Sequence, residues 1–355
     1  MNTRIRSHSA GSLPASPAPS ASPVLSAPPA SRAPLSNRRS FLKTSALAAT
    51  AFGLFARERL FAQALPLPPA PPPPARPVPD PNAAGFVPLR RGAGVFNGRG
   101  GTIGWFVSED ALAVIDTQFP DTAAACLAGL PGRDGRRLDV VINTHHHGDH
   151  TAGNPVFKPV AKTIVAHENV PALQRAAAAR ARPPSLDRQV YADTLFAGAW
   201  RAALGAETVS ARHHGPAHTG GDIIVVLENA NVVHMGDLVF NRLYPVIDRP
   251  GGAGIRGWIS VLETALKTYP PDAIYIFGHA NPAFGVTGAR DDLAPMRDYL
   301  SALLAHVEKR IAAGASREEI CALENLPGFR DWHQPAPNRL QGNLGVAYDE
   351  LTAAG

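Results

Sequence analysis

An apolar run, Leu138, Val140, Val141 and Ile142, leads straight into "NTHHHGDH", residues 143–150, so that four histidines and an aspartate fall within six positions at the end of what reads as a buried strand. A hydrophobic core has no use for imidazoles and carboxylates at that density. A turn at a strand end, by contrast, can aim closely spaced side chains into one cleft, and imidazole with carboxylate is a ligand set that zinc prefers. His145 and His147, two apart, leave an extended strand end on one side. Gly148 permits a tight bend, after which Asp149 and His150 can face a second ion.

The surrounding pattern predicts sheets that end in this way. Short β-rich runs at 102–107, 112–115, 140–142, 163–165, 223–227, 232–234 and 274–277 alternate with helical stretches at 122–130, 169–182, 259–268 and 294–313. Strands outnumber helices in the alternation, which predicts two sheets with helices outside them.

Composition matters here for what it excludes. A formal charge of +5 and 35 prolines suggest a basic, loop-rich protein, but both concentrate near the start of the chain. Residues 1–64 hold eight Lys/Arg against the single acid Glu58, leaving the rest of the chain at −2. A mildly acidic body gives no electrostatic reason to expect nucleic acid or an anionic membrane as partner. Within the leader, "SNRRSFLKTSALAATAFGLFA" places Arg38-Arg39 before an uncharged apolar stretch, 46–56, and Ala62-Gln63-Ala64 offers a small-residue cleavage point. This resembles a twin-arginine export signal. The apolar stretch is too short for the roughly 20 residues that span a bilayer, so no stable membrane anchor is expected. The twin-arginine export machinery is thus an expected partner, and the expected location is the periplasm or the medium.

Residues 65–84 are proline-rich and read as an extended spacer. Residues 85–355 are long enough for one large domain or two small ones; with no second linker and no repeat, they are expected to form one. Cys126 and Cys321 lie far apart without a CxxC spacing and read as separate buried thiols, although an oxidising compartment would allow them to pair.

Further motifs follow in order: "GPAHTGGD" offers His218 after a Gly-Pro turn, "VVHMGD" offers Asp237, and "IYIFGHANP" offers His279, while upstream "ALAVID" ends in Asp116. His-x-His-x-Asp-His followed by these stretches resembles the metallo-β-lactamase superfamily over nearly all of residues 95–285. The resemblance implies an α/β fold, the αββα four-layer sandwich, with two mixed β-sheets flanked by helices. It also implies that His145, His147 and His218 hold one zinc, that Asp149, His150 and His279 hold another, and that Asp237 bridges both. Asp116 would support the site from outside the metal shell. Many relatives carry Pro-Gly-His-Gly around the last ligand. Here it is Phe277-Gly278-His279-Ala280, which alters the loop beside the second metal.

The other histidines have plainer readings. His146 alternates away from its neighbours and points out of the cluster. His213 and His214 take supporting or surface roles, and His167 and His234 are structural. Trp105, Tyr244 and Trp258 fit either a cleft wall or, more commonly for aromatics near strands, the core.

The chemistry implied is metal-assisted hydrolysis by a hydroxide shared between two zincs, with iron or manganese as other ions the ligands accept. Asp149 is the catalytic residue, orienting that hydroxide while ligating. Aspartate at position 237, where β-lactamases of the superfamily generally carry Cys or Ser, lowers β-lactam hydrolysis and favours a small ester, thioester, lactone or amide as substrate. Export removes the chain from cytosolic glutathione, and no glutathione-binding tail is recognisable. Two alternatives belong to other classes. One is an iron-dependent, persulfide dioxygenase-like oxidoreductase using His145, His218 and Asp237; the other is a noncatalytic zinc-binding partner of a periplasmic assembly. The complete second ligand set favours the dinuclear hydrolase.

Overall fold

The computed structural model describes residues 85–353; the expected export leader, 1–64, and the proline-rich spacer, 65–84, lie outside the described residues. Among the described residues no helix is long and apolar enough to cross a membrane.

Seven strands run side by side in sequence order in the first sheet: β1 (Gly85–Arg90), β2 (Ala93–Asn97), β3 (Ile103–Val107), β4 (Leu112–Ile115), β5 (Val140–Ile142), β6 (Ile164–His167) and β7 (Thr194–Phe196). Neighbours from β1 to β4 are antiparallel, and those from β4 to β7 are parallel. The second sheet contains β8 (Ala199–Leu204), β9 (Glu207–Arg212), β10 (Ile224–Leu227), β11 (Val232–His234), β13 (Ile274–Ile276) and β15 (Thr287–Gly288), in the order β15-β13-β11-β10-β9-β8. Here β11 and β13 are parallel and the other pairs antiparallel. A short parallel pair, β12 (Phe240–Asn241) with β14 (His279–Ala280), completes the strands.

Strand alternation sorts the apolar side chains into three cores. Val140 and Ile142 of β5 face Val225 and Leu227 of β10 and Val232 of β11, together with their neighbours, between the two sheets. The intervening Val141 points the other way, toward helices α1 (Pro120–Gly129) and α3 (Asn154–Phe157), beside Trp105, Cys126 and Phe157. On the far side, Ile224, Val233 and Tyr275 pack against α5 (Ile255–Thr268), α6 (Ala294–Ala312) and α8 (Arg339–Thr352). The result is helix, sheet, sheet, helix, the four-layer α/β sandwich expected. Fully burying one large apolar side chain contributes roughly 1.5–3 kcal/mol. Three such cores supply the rigidity needed to hold charged groups in a buried cluster.

The remaining helices are α2 (Gly148–Thr151), α4 (Val170–Arg180) and α7 (Arg317–Cys321). The sequence periodicity did not predict β1, β2, the β8–β9 hairpin or α8. Strand β8 reads "AWRAAL" and alternates between exposed and half-buried positions up to the buried Leu204, so alanine and arginine hide the apolar signal that marks an inner strand. Both cysteines are free, as expected, but only Cys126 is buried; Cys321 is half-exposed at the end of α7.

Candidate metal centre

Parallel pairing brings the functional loops to one edge. Because β4 runs parallel to β5, Asp116 leaves its strand beside the segment that carries His145 and His147. Because β11 runs parallel to β13, Asp237 and His279 also leave neighbouring ends. His218 comes from the loop between β9 and β10, and Asp149 and His150 sit on the single turn of α2. The seven positions singled out in the sequence as ligands therefore meet in one place. They form two sets, His145, His147, His218 and Asp237, and Asp149, His150 and His279.

Hydrogen bonds around the first set decide which nitrogens carry protons. Thr144 Oγ1 donates to Asp116 Oδ2 at 2.8 Å, so it must accept from His145 Nδ1, 3.0 Å away. His218 Nδ1 donates to the carbonyl of Val246 at 2.9 Å, and His147 Nε2 donates to Asp248 Oδ2 at 2.9 Å. The opposite nitrogens, His145 Nε2, His147 Nδ1 and His218 Nε2, are left as bare lone pairs aimed at each other, with separations of 3.1 and 3.0 Å. Asp237 Oδ2 joins them at 3.7 Å from His145 and 3.4 Å from His218. Such a set repels itself unless a cation sits in it. Ligands about 2.0–2.1 Å from a tetrahedral zinc stand roughly 3.3 Å from one another, so the spacing fits.

In the second set, His150 Nδ1 donates to Asp116 Oδ2 at 2.8 Å, turning Nε2 toward Asp237 Oδ1 at 3.0 Å and Asp149 Oδ2 at 3.7 Å. His150 Nε2 and Asp237 Oδ1 are both buried without a hydrogen-bond partner, which marks a position fitted for an ion. His279 Nε2 lies 3.1 Å from Asp149 Oδ2 and 3.3 Å from Asp237 Oδ2. Asp237 thus faces both sets, through different oxygens toward His150 and His218.

The electrostatics of the two sets differ. Burial, reinforced by the neighbouring imidazoles, holds His145 well below the ordinary histidine value and His218 down at about 3. Burial acts the same way on His150 and His279, but the carboxylates of Asp237 and Asp149 overcome it. His150 lies well above the ordinary value and His279 is raised to about 9. Burial would raise Asp149, yet the charges of His150 and His279 hold it at about 2.

Two glycines let the chain close over this cluster. A Cβ on Gly278 would fall 1.9 Å from Asp237 Oδ1, and one on Gly101 would fall 2.1 Å from the His150 ring. Phe240 lies opposite His279 in the β12–β14 pair and stacks on it at 5.1 Å.

Several residues that hold the site gave no sequence signal. Asp248 fixes the His147 ring, although in "VIDRPGG" it reads as an ordinary turn residue. Thr144 transmits Asp116 to His145. Asp222 is buried, and burial raises it to about 7; it accepts from the amide and hydroxyl of Thr219, fixing the loop after His218. His146 does point away from the seven, but into a buried position facing Asp248. His213 bonds the Asp222 carbonyl and packs its ring at a tilt against His167; His214 meets the Tyr269 hydroxyl; His234 bridges the Thr102 carbonyl and the Gly236 amide. Trp105, Tyr244 and Trp258 are core.

This geometry agrees with sequence comparison. The profile of the Metallo-beta-lactamase superfamily matches residues 96–279, and the chain belongs to that superfamily. Its sequence is 36% identical over 135 residues to the hydroxyacylglutathione hydrolases of Brucella ovis and Brucella abortus, a match covering 37% of this chain and 44% of each of theirs. The chain thus spans less than half the length of these curated relatives. Among solved structures, the stereoselective inverting sec-alkylsulfatase Pisa1 from Pseudomonas sp. superposes with a TM-score of 0.60 at 19% identity, over 76% of this chain and 50% of that one, a likeness of fold.

Proposed function

We propose that this protein is an exported metal-dependent hydrolase that cleaves a small acyl substrate, with two zinc ions held by His145, His147 and His218 on one side, Asp149, His150 and His279 on the other, and Asp237 between. The observation that carries this reading is the convergence of imidazole nitrogens and carboxylate oxygens at 3.0–3.7 Å in two adjoining sets. When bound, such ions supply an activated water near neutral pH and a Lewis acid for the acyl oxygen. The chain's own part is to orient. Asp116 and Asp248 fix the imidazole tautomers, Asp237 is positioned to face both ions, and Asp149, held ionised by His150 and His279, is the carboxylate placed to accept a hydrogen bond and orient the nucleophile beside the reacting atoms.

Thioesters head the acyl compounds, because the matched curated relatives are hydroxyacylglutathione hydrolases and because aspartate stands at position 237. The test is a panel of thioesters, aryl esters, lactones, nitrocefin and phosphodiesters, run with zinc- and iron-loaded protein. Acyl cleavage by the zinc form is the expected result. Faster phosphodiester cleavage, or oxygen consumption with a persulfide by the iron form, would overturn the reading. Export rests on Arg38 and Arg39: replacing both with lysine is expected to leave precursor in the cytoplasm, and normal export of that variant would refute it.

A further inference from the structure

The seven-residue arrangement leaves one histidine of the triplet unused. His146 is 1% exposed, and neither of its ring nitrogens makes a hydrogen bond, a costly state for a buried imidazole. Its Nε2 faces Asp248 Oδ2 at 3.3 Å. The same oxygen stands 2.9 Å from His147 Nε2, while Asp248 Oδ1 is taken by the Gly251 amide at 3.0 Å. Two imidazole nitrogens and one carboxylate oxygen therefore converge a second time, all within 4.8 Å of each other, on the opposite side of the His147 ring from the first set. The position opens to solvent through Asp248 and His147, whose side chains are 16% and 20% exposed.

We propose that His146 Nε2, Asp248 Oδ2 and His147 Nε2 form a third cation site, back to back with the first set across the His147 ring. Two imidazoles and one carboxylate select zinc or copper(II) over magnesium or calcium, which take oxygen ligands. Binding releases one proton: the ion replaces the hydrogen on His147 Nε2, which leaves to solvent, and the ring then carries an ion on each nitrogen. This site has three protein ligands and opens to solvent on one side. It draws on the proposed function only for the ion at His147 Nδ1.

Metal-stripped wild-type and His146→Phe proteins, dialysed against excess zinc and counted by atomic emission, test it. The wild type is expected to retain one more zinc per chain than the variant, and equal counts would overturn the proposal. Failure of the dinuclear reading would appear in both totals, whereas failure of the third site appears in their difference. If His146→Phe does not fold by circular dichroism, anomalous scattering at the zinc edge from zinc-soaked wild-type crystals decides the matter. A peak between His146 and Asp248 supports the site, and peaks confined to the central sets exclude it.

Discussion

Asp116 Oδ2 accepts a 2.8 Å hydrogen bond from His150 Nδ1, and the same carboxylate takes the amide and hydroxyl of Thr144 at 2.7 and 2.8 Å. One buried anion thus orients His150 directly and His145 through Thr144. Asp116 also has φ +65, a conformation asparagine tolerates well, so Asp116→Asn spares the backbone while setting an NH2 against one of these donors. Metal affinity is expected to fall about 10–100-fold, and unfolding free energy by roughly 1–3 kcal/mol. Chelator competition and urea denaturation measure the two.

Asp248→Ala removes the acceptor of His147 Nε2 and frees the ring to change tautomer. The first set is expected to lose about 10–100-fold in affinity with little change in global stability, because Asp248 is partly exposed. Unchanged zinc retention in the chelator assay would refute its orienting role.

The two sets respond differently to pH. At neutral pH His145 and His218 are neutral, while His150 and His279 are protonated in metal-free protein. Loading the second set therefore expels protons, and its affinity is expected to rise with pH toward about 9, while His145 and His218 release none. Calorimetry in buffers of different ionisation enthalpy counts the protons. The same raised value makes His279 stabilise the metal-free fold fully below its unfolded value near 6.5, with that contribution lost as pH rises through about 9. Thermal melts across that window should fall.

Gly278→Ala drives a methyl into Asp237 Oδ1 and the Gly236 backbone, 2.8 Å away, neither of which can yield without moving the shared carboxylate. Turnover of the best panel substrate is expected to drop roughly 10²-fold or more, with far-ultraviolet circular dichroism unchanged. Full activity in this variant would mean that Asp237 tolerates displacement.

The candidate ligand residues and the inner strands were legible in the sequence because each carries a local signal. Five ligand-type residues crowd one strand end, and Val140 to Ile142 form an apolar run that only a two-faced buried strand explains. Strand β8 and helix α8 were not legible, since alanine, arginine and glycine dilute their periodicity and only packing against a neighbour makes them regular.

The sequence by itself thus determined which side chains can bind metal and which strand ends deliver them, because ligand chemistry and short-range turns are local properties. Only the tertiary structure decided that Asp248, 101 residues from His147, sets that ring's tautomer, that Thr144 links Asp116 to His145, and that His146 turns toward a second convergence rather than to solvent. Those relations depend on parallel strands from two sheets ending at one edge, a long-range fact that no window of the chain contains.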